Sequence, residues 1–119
     1  MATDLNNASV ADILSDPVTV DLIDKEGLMR LAYTGADGAP RVIPLGYLVR
    51  DRQFIFCTVP SSAKVDALRN DPRVAITVDS GQPLCCLLVR GTAEVEIVPG
   101  VPDDYLEASW RNMPAEAHE

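Results

Sequence analysis

In the stretch Thr58-Val59-Pro60-Ser61-Ser62-Ala63-Lys64, three hydroxyls and one ammonium gather where an apolar, strand-like run gives way to a short helix-like run. Ser61 is placed to act as an N-cap, its side-chain oxygen accepting from a first-turn backbone N–H that has no intrahelical partner. The other first-turn donors point toward the same spot. With the Thr58 and Ser62 hydroxyls nearby and Lys64 in the same turn, that spot offers converging donors and one positive charge, a combination suited to a phosphate group. The plainer alternative is that Ser61 only caps the helix and Lys64 is solvated.

Other chemistries find less support. His118 is the only histidine and stands next to the last residue, without ligand partners in sequence, which argues against a metal centre. Ser61 and Ser62 have no histidine placed to act as their base, and no GxSxG segment is present, so a hydrolase nucleophile is not indicated. Cys57, Cys85 and Cys86 are odd in number, lack CxxC spacing and lie in apolar runs, which reads as buried, reduced thiols and a cytoplasmic location. Cys85 and Cys86 must point to opposite faces of their strand. One is expected in the core and the other on a cofactor-side or interface position.

The elements that position these residues fit one domain over 1–119, since 119 residues at 47% hydrophobic content can build one core. The net charge of −8 and the lack of a basic stripe speak against nucleic acid, so any bound anion is met locally. The first residues lack a basic segment followed by an apolar run. No stretch approaches the roughly 18 apolar residues of a membrane span, so no membrane partner is expected and the protein is read as soluble.

Residues 9–26 read as one or two helices, with Ser9 and Asp12 in capping-box spacing, Pro17 as a restart and Gly27 as a stop. From Leu28 the period changes. Runs 28–34 and 39–49 flank a Gly35–Gly38 turn as a hairpin; Asp51-Arg52 turns the chain again, and 53–59 completes an antiparallel meander. After a helix over 61–70 come strands at 73–80 and 84–98, with Gly91 a bulge or bend in the last. Pro102 followed by Asp103 and Asp104 opens a closing helix over 102–113, which Trp110 is expected to anchor against the barrel or a second protomer.

Taken in order, Gly38-Ala39-Pro40, Pro44, the strand 53–58, Ser61, Lys64 and Asp71-Pro72-Arg73-Val74 resemble the pyridoxamine 5′-phosphate oxidase-like split β-barrel family, which includes flavin and deazaflavin oxidoreductases. The likeness runs from about Leu28 to Ile97. It implies a mainly β protein with flanking α-helices, an antiparallel six-stranded split barrel, and a homodimer with a flavin-type cofactor in a groove between protomers. It also implies that Thr58, Ser61, Ser62 and Lys64 hold the cofactor phosphate, while Arg41, Val42, Ile43 and Pro44 line the isoalloxazine ring.

Arg41 could meet either the phosphate or the ring carbonyls, or be solvated just after the hairpin turn. Pro44 suits either an edge or a backbone that turns toward a ligand. An enzyme of this kind would transfer hydride at the cofactor ring to or from a small organic substrate, needing no protein acid or base. FMN is favoured over the deazaflavin coenzyme F420, whose anionic oligoglutamate tail wants more positive charge than Lys64 and Arg69 supply. A non-enzymatic flavin carrier or sensor, or a haem protein of the same fold, are the alternatives. Family members usually continue past the closing helix into at least one more barrel strand. Here that strand is missing from the sequence, and truncation or completion by a partner would account for it.

Overall fold

The computed structural model describes residues 6–81 and 84–111. Its helices are α1 (Asn6–Ser15), α2 (Pro17–Lys25), α3 (Ala63–Asn70) and α4 (Asp103–Arg111); its strands are β1 (Leu28–Thr34), β2 (Pro40–Gly46), β3 (Leu48–Arg50), β4 (Gln53–Ile55), β5 (Arg73–Gly81) and β6 (Leu84–Thr92). All strand pairings are antiparallel. Among the described residues the sheets have the orders β2-β1-β5-β6 and β3-β4, and they do not close into a barrel.

The helical lead follows from its caps. Asp16 Oδ1 accepts from the Val18 N–H at 2.8 Å and Pro17 occupies the first turn, so the second helix restarts where the proline stands. The first helix begins at Asn6, upstream of Ser9, so Ser9 lies inside the helix and not at its start. The hairpin β1–β2 turns through Gly35–Gly38, closed by Gly35 N–H to Ala39 O at 2.8 Å and Gly38 N–H to Gly35 O at 2.9 Å. Gly38 takes φ +84°, a left-handed position that glycine fills without a steric cost.

Period-two alternation places Met29, Leu31, Ile76 and Val78 on the inner face of the large sheet. There they meet Leu22 and Ile23 of α2 and the fully buried Tyr47, with Ile43, Leu45, Leu87 and Val89 packed around them. Val65, Ala67 and Leu68 form the buried side of α3.

The long runs read from sequence are interrupted, for identifiable reasons. The expected strand 39–49 breaks at Tyr47, whose hydroxyl donates toward Ile23 O (3.1 Å) and Glu26 O (2.8 Å) and so draws the residue inward out of the ladder. With Tyr47 gone from the ladder, Phe56 has no cross-strand partner, and the expected strand 53–59 stops at Ile55. The expected strand 84–98 ends at Thr92 for a similar reason. Its partner β5 starts at Arg73, just after Pro72, and the last bond runs from Ala93 N–H to Pro72 O at 2.8 Å. Gly91 is neither bulge nor bend, because the register passes through it without a slip.

At the other end of the chain, Arg50 ties α4 to β3 through Asp104 (2.8 Å) and Glu107 (3.0 Å). The side chain of Trp110, expected to anchor that helix, and His118 lie outside the described residues. The cysteines are less buried than their apolar surroundings suggested: Cys57 and Cys85 are half-buried and Cys86 is exposed. Cys85 packs against the core, and Cys86, next in the pleat, points the other way.

Candidate functional site

Helix α3 starts one residue later than the serine pattern implied. Ser62 N–H bonds to Val59 O at 3.0 Å, which closes a turn with Pro60 at its second position, where the fixed φ of proline is favoured. Ser61 therefore sits in the turn, and Ser62 is the N-cap, its Oγ accepting from the Lys64 N–H at 3.2 Å. Thr58 and Ser61 are exposed beside this turn; Ser62 and Lys64 are half-buried. Among the described residues, Lys64 makes no ion pair.

Across from the helix, Arg41 leaves β2 on the same side as Ile43 and Leu45. Val42 and Pro44 project from the opposite side of the sheet, where Val42 is 66% exposed. The four consecutive residues expected to line a ring are thus split two and two, and one chain can offer a ligand only one pair on each face.

A pocket of about 230 Å³ joins the two elements, lined by Tyr33, Gly35, Ala36, Asp37 and Arg41 from the hairpin and by Ala63 and Ala67 from α3. Of the residues expected in the site, it brings in Arg41 alone, while Ala63 is flanked in the chain by Ser62 and Lys64. Ala63 and Ala67 stand one helical turn apart and keep the helix side of the pocket open, because neither carries more than a methyl group.

The electrostatics are set by one pair. Arg41 Nη2 contacts Asp37 Oδ2 at 2.9 Å, and its Nη1 lies 3.3 Å from Ala39 O and 3.4 Å from Pro40 O. The Arg41 guanidinium, assisted by the Ala39 N–H, holds the Asp37 carboxyl below the usual carboxylate range. Three bonds at most occupy Arg41, so at least two of its five N–H donors remain for a ligand. Cys57 is no candidate nucleophile, since burial pushes its thiol up.

Sequence reading missed Tyr33, Gly35, Ala36, Asp37, Ala63 and Ala67 in this pocket. A usable signal was present in Asp37 and Arg41, opposite charges four residues apart, one within the glycine-containing hairpin turn and one just after it.

No curated protein matches the chain in sequence. Among solved structures, it is similar to a conserved hypothetical protein from Mycobacterium tuberculosis at 30% identity and a TM-score of 0.63, over 75% of this chain and 58% of that one. An FAD-binding protein from Mesorhizobium loti matches at 28% identity and a TM-score of 0.56, over 82% of this chain and 67% of that one. A protein described as an F420 reductase shares the fold at 24% identity and a TM-score of 0.58, over 63% of this chain and 60% of that one. Haem proteins from Vibrio cholerae and Mycobacterium smegmatis share it at 14% and 17% identity. The chain thus spans about three fifths of the length of the first of these structures. The pyridoxamine 5′-phosphate oxidase family model matches residues 8–117, nearly all of the sequence, including both the hairpin that carries Arg41 and the turn that carries Lys64, and the chain belongs to that family.

Proposed function

We propose that this chain binds a flavin-type cofactor, FMN, between two copies of itself and serves hydride transfer with a small organic substrate in the cytoplasm. The observation that carries the proposal is the pocket between Arg41 and the start of α3. It joins a guanidinium with unspent donors to a helix start bearing Ser62 and Lys64, which suits the phosphate end of such a cofactor.

The size of the pocket supports the second copy. About 230 Å³ falls short of the roughly 300–1,000 Å³ of pockets that enclose a drug-sized ligand, so one protomer can hold one end of a flavin and not the whole. The outer face of the large sheet supports it too: Leu28, Val42, Leu84 and Leu88 are exposed there, around an Arg30–Asp79 pair at 2.8 Å. A face carrying both signs of charge among apolar residues can meet its own copy across a two-fold axis. On this reading Val42 and Pro44, on that outer face, belong to the wall that the two protomers share.

The bound ring would supply the hydride chemistry; the chain's own residues bind, orient and exclude water. Arg41 and Lys64 would balance the phosphate charge, Thr58, Ser61 and Ser62 would add neutral donors, and Ile43, packed against the core on the pocket's side of the sheet, would back the site. Coenzyme F420 in place of FMN, or flavin binding without turnover, are the competing readings. The 28% identical FAD-binding structure supports a flavin-type ligand in either case.

A titration of Lys64→Ala tests the phosphate assignment. A charge-assisted hydrogen bond is worth about 1.5–3 kcal/mol, so FMN should bind roughly ten- to a hundredfold more weakly while riboflavin, which lacks the phosphate, is unaffected. Equal FMN affinities for wild type and variant would return Lys64 to the solvent. Reconstitution with FMN, F420 and haem in parallel, read by absorbance and by substrate-driven bleaching, separates the cofactors and turnover from carriage. Light scattering that finds a monomer at micromolar concentration would refute the shared site.

A further inference from the structure

Arg41 is held in place by two residues that no phosphate-site reading includes. Its guanidinium folds back over the α-carbon of Gly35, which is buried at the end of β1. A Cβ at position 35 would stand 2.9 Å from Arg41 Cζ, 3.1 Å from its Nη2 and 3.1 Å from Asp37 Oδ1. Only glycine leaves room for the pair to close. Asp37 is fixed in turn: its Oδ1 accepts from the Ala39 N–H at 3.0 Å, inside the hairpin turn, and its Oδ2 receives Arg41 Nη2 at 2.9 Å. The arginine is therefore braced from below by a bare α-carbon and from the side by a carboxylate that the backbone itself orients.

We infer that Asp37 and Gly35 are the positioning residues of Arg41: they aim its free N–H donors into the pocket beside α3, where they receive the cofactor phosphate. The inference rests on the proposed phosphate site. The physical basis is pre-organisation. A free arginine side chain surrenders most of its rotamer freedom when it binds, whereas a guanidinium already tied to Asp37 through Nη2 and laid over Gly35 has less left to lose. Asp37 also brings a negative charge close to the incoming phosphate, which opposes binding. The clamp nevertheless prevails, because the charge of that carboxylate is already met by Arg41 Nη2 and by the Ala39 N–H of the turn, while the remaining guanidinium donors stay available to the ligand.

Gly35→Ala is the sharper of two probes, since the atom it displaces is the end of a flexible side chain and the fold has no reason to fail. Asp37→Asn is the second, with Asp37→Glu as the conservative rescue. Two readouts are taken on each variant. Nitrogen-15 NMR of the ligand-free protein follows the arginine Nη–H signals, the groups through which Arg41 is held. Wild type should show an Arg41 signal protected from solvent exchange, which both Gly35→Ala and Asp37→Asn abolish and Asp37→Glu partly restores. Titrations with FMN and riboflavin, with melts as the folding control, should show each probe weakening FMN about five- to tenfold and leaving riboflavin unchanged. In an Arg41→Ala background, neither probe should weaken FMN any further, because both act through Arg41.

An Arg41 signal as exposed in wild type as in Asp37→Asn would overturn the clamp. Tighter FMN binding in Asp37→Asn would overturn it as well, by making Asp37 a repelling charge and not a support. A protected signal in a wild type that does not bind FMN, or whose Arg41→Ala variant binds it unchanged, would leave the clamp standing as architecture. That outcome would overturn both the phosphate reading and the role inferred from it.

Discussion

Tyr47→Phe probes the residue that divides the sheet, and it removes one atom. The phenol is completely buried and its single proton is shared between Ile23 O at 3.1 Å and Glu26 O at 2.8 Å, which pins the end of β2 to the last turn of α2. The ring itself stacks on Phe54 with centroids 5.7 Å apart, and phenylalanine keeps that contact. The loss is therefore that of a buried donor facing two carbonyls. A net hydrogen bond is worth about 0.5–1.5 kcal/mol. We expect a destabilisation of about 1 kcal/mol, which in a chain of 119 residues corresponds to a fall in Tm of roughly 4 °C. Urea and thermal melts followed by circular dichroism at one protein concentration measure it, with an unchanged m-value as the check that only the folded state was altered. A shift below about 0.3 kcal/mol would refute the account, since the break between β2 and β3 would then owe nothing to this bond.

Two further perturbations test local chemistry. Hydrogen bonds from the Arg73 side chain and backbone draw the Asp71 carboxyl down from 3.8 to about 2. A depressed carboxylate adds its stability above its unfolded pKa and loses it as the pH falls through the folded one, so the gap between wild type and Asp71→Asn should be constant from pH 7 to pH 5 and close between about pH 4 and pH 2. Melts in which the gap persists at pH 2 would assign the stability to something other than the charge. Separately, Asp51 and Arg52 hold φ 53° and 62° in the two-residue turn between β3 and β4. Aspartate tolerates that region better than arginine, so Arg52→Gly should stabilise the protein by up to about 1 kcal/mol once the greater freedom of the unfolded glycine is deducted. A lower Tm would show that Arg52 is not strained.

Much of the fold was legible because it is written in local signals. The change from helical to alternating period at Leu28, the Gly35–Gly38 and Asp51-Arg52 turns, and the Pro17 restart each depend on residues within a few positions of one another, and each appears where those residues stand. The lengths of the runs at 39–49, 53–59 and 84–98 were not legible, because a strand ends where its partner does, whereas 28–34 and 73–80 match β1 and nearly all of β5. Nothing between Gln53 and Val59 reveals that Tyr47 will turn inward to bond to a helix more than twenty residues away, and nothing between Ala93 and Val98 reveals that the partner will be the strand starting at Arg73, in a register that pairs Arg73 with Thr92.

The same division runs through the candidate site. The cluster at 58–64 could be read as a capped helix start, although Pro60 moves the cap from Ser61 to Ser62 by closing a turn first. What the sequence does not reveal is that this helix start faces the tip of a hairpin more than twenty residues earlier, so that Arg41 and Ala63 come to share one pocket. Nor does a run such as Arg41-Val42-Ile43-Pro44 announce that its pleat sends two side chains toward that pocket's side of the sheet and two toward the open face. That division bears directly on function. If all four residues serve one cofactor, as the family resemblance implies, the two faces must be brought to the same ligand, and a single copy of this strand cannot do so. On the proposal of a shared site, a second protomer supplying the opposite face would reconcile the strand's alternation with one ligand.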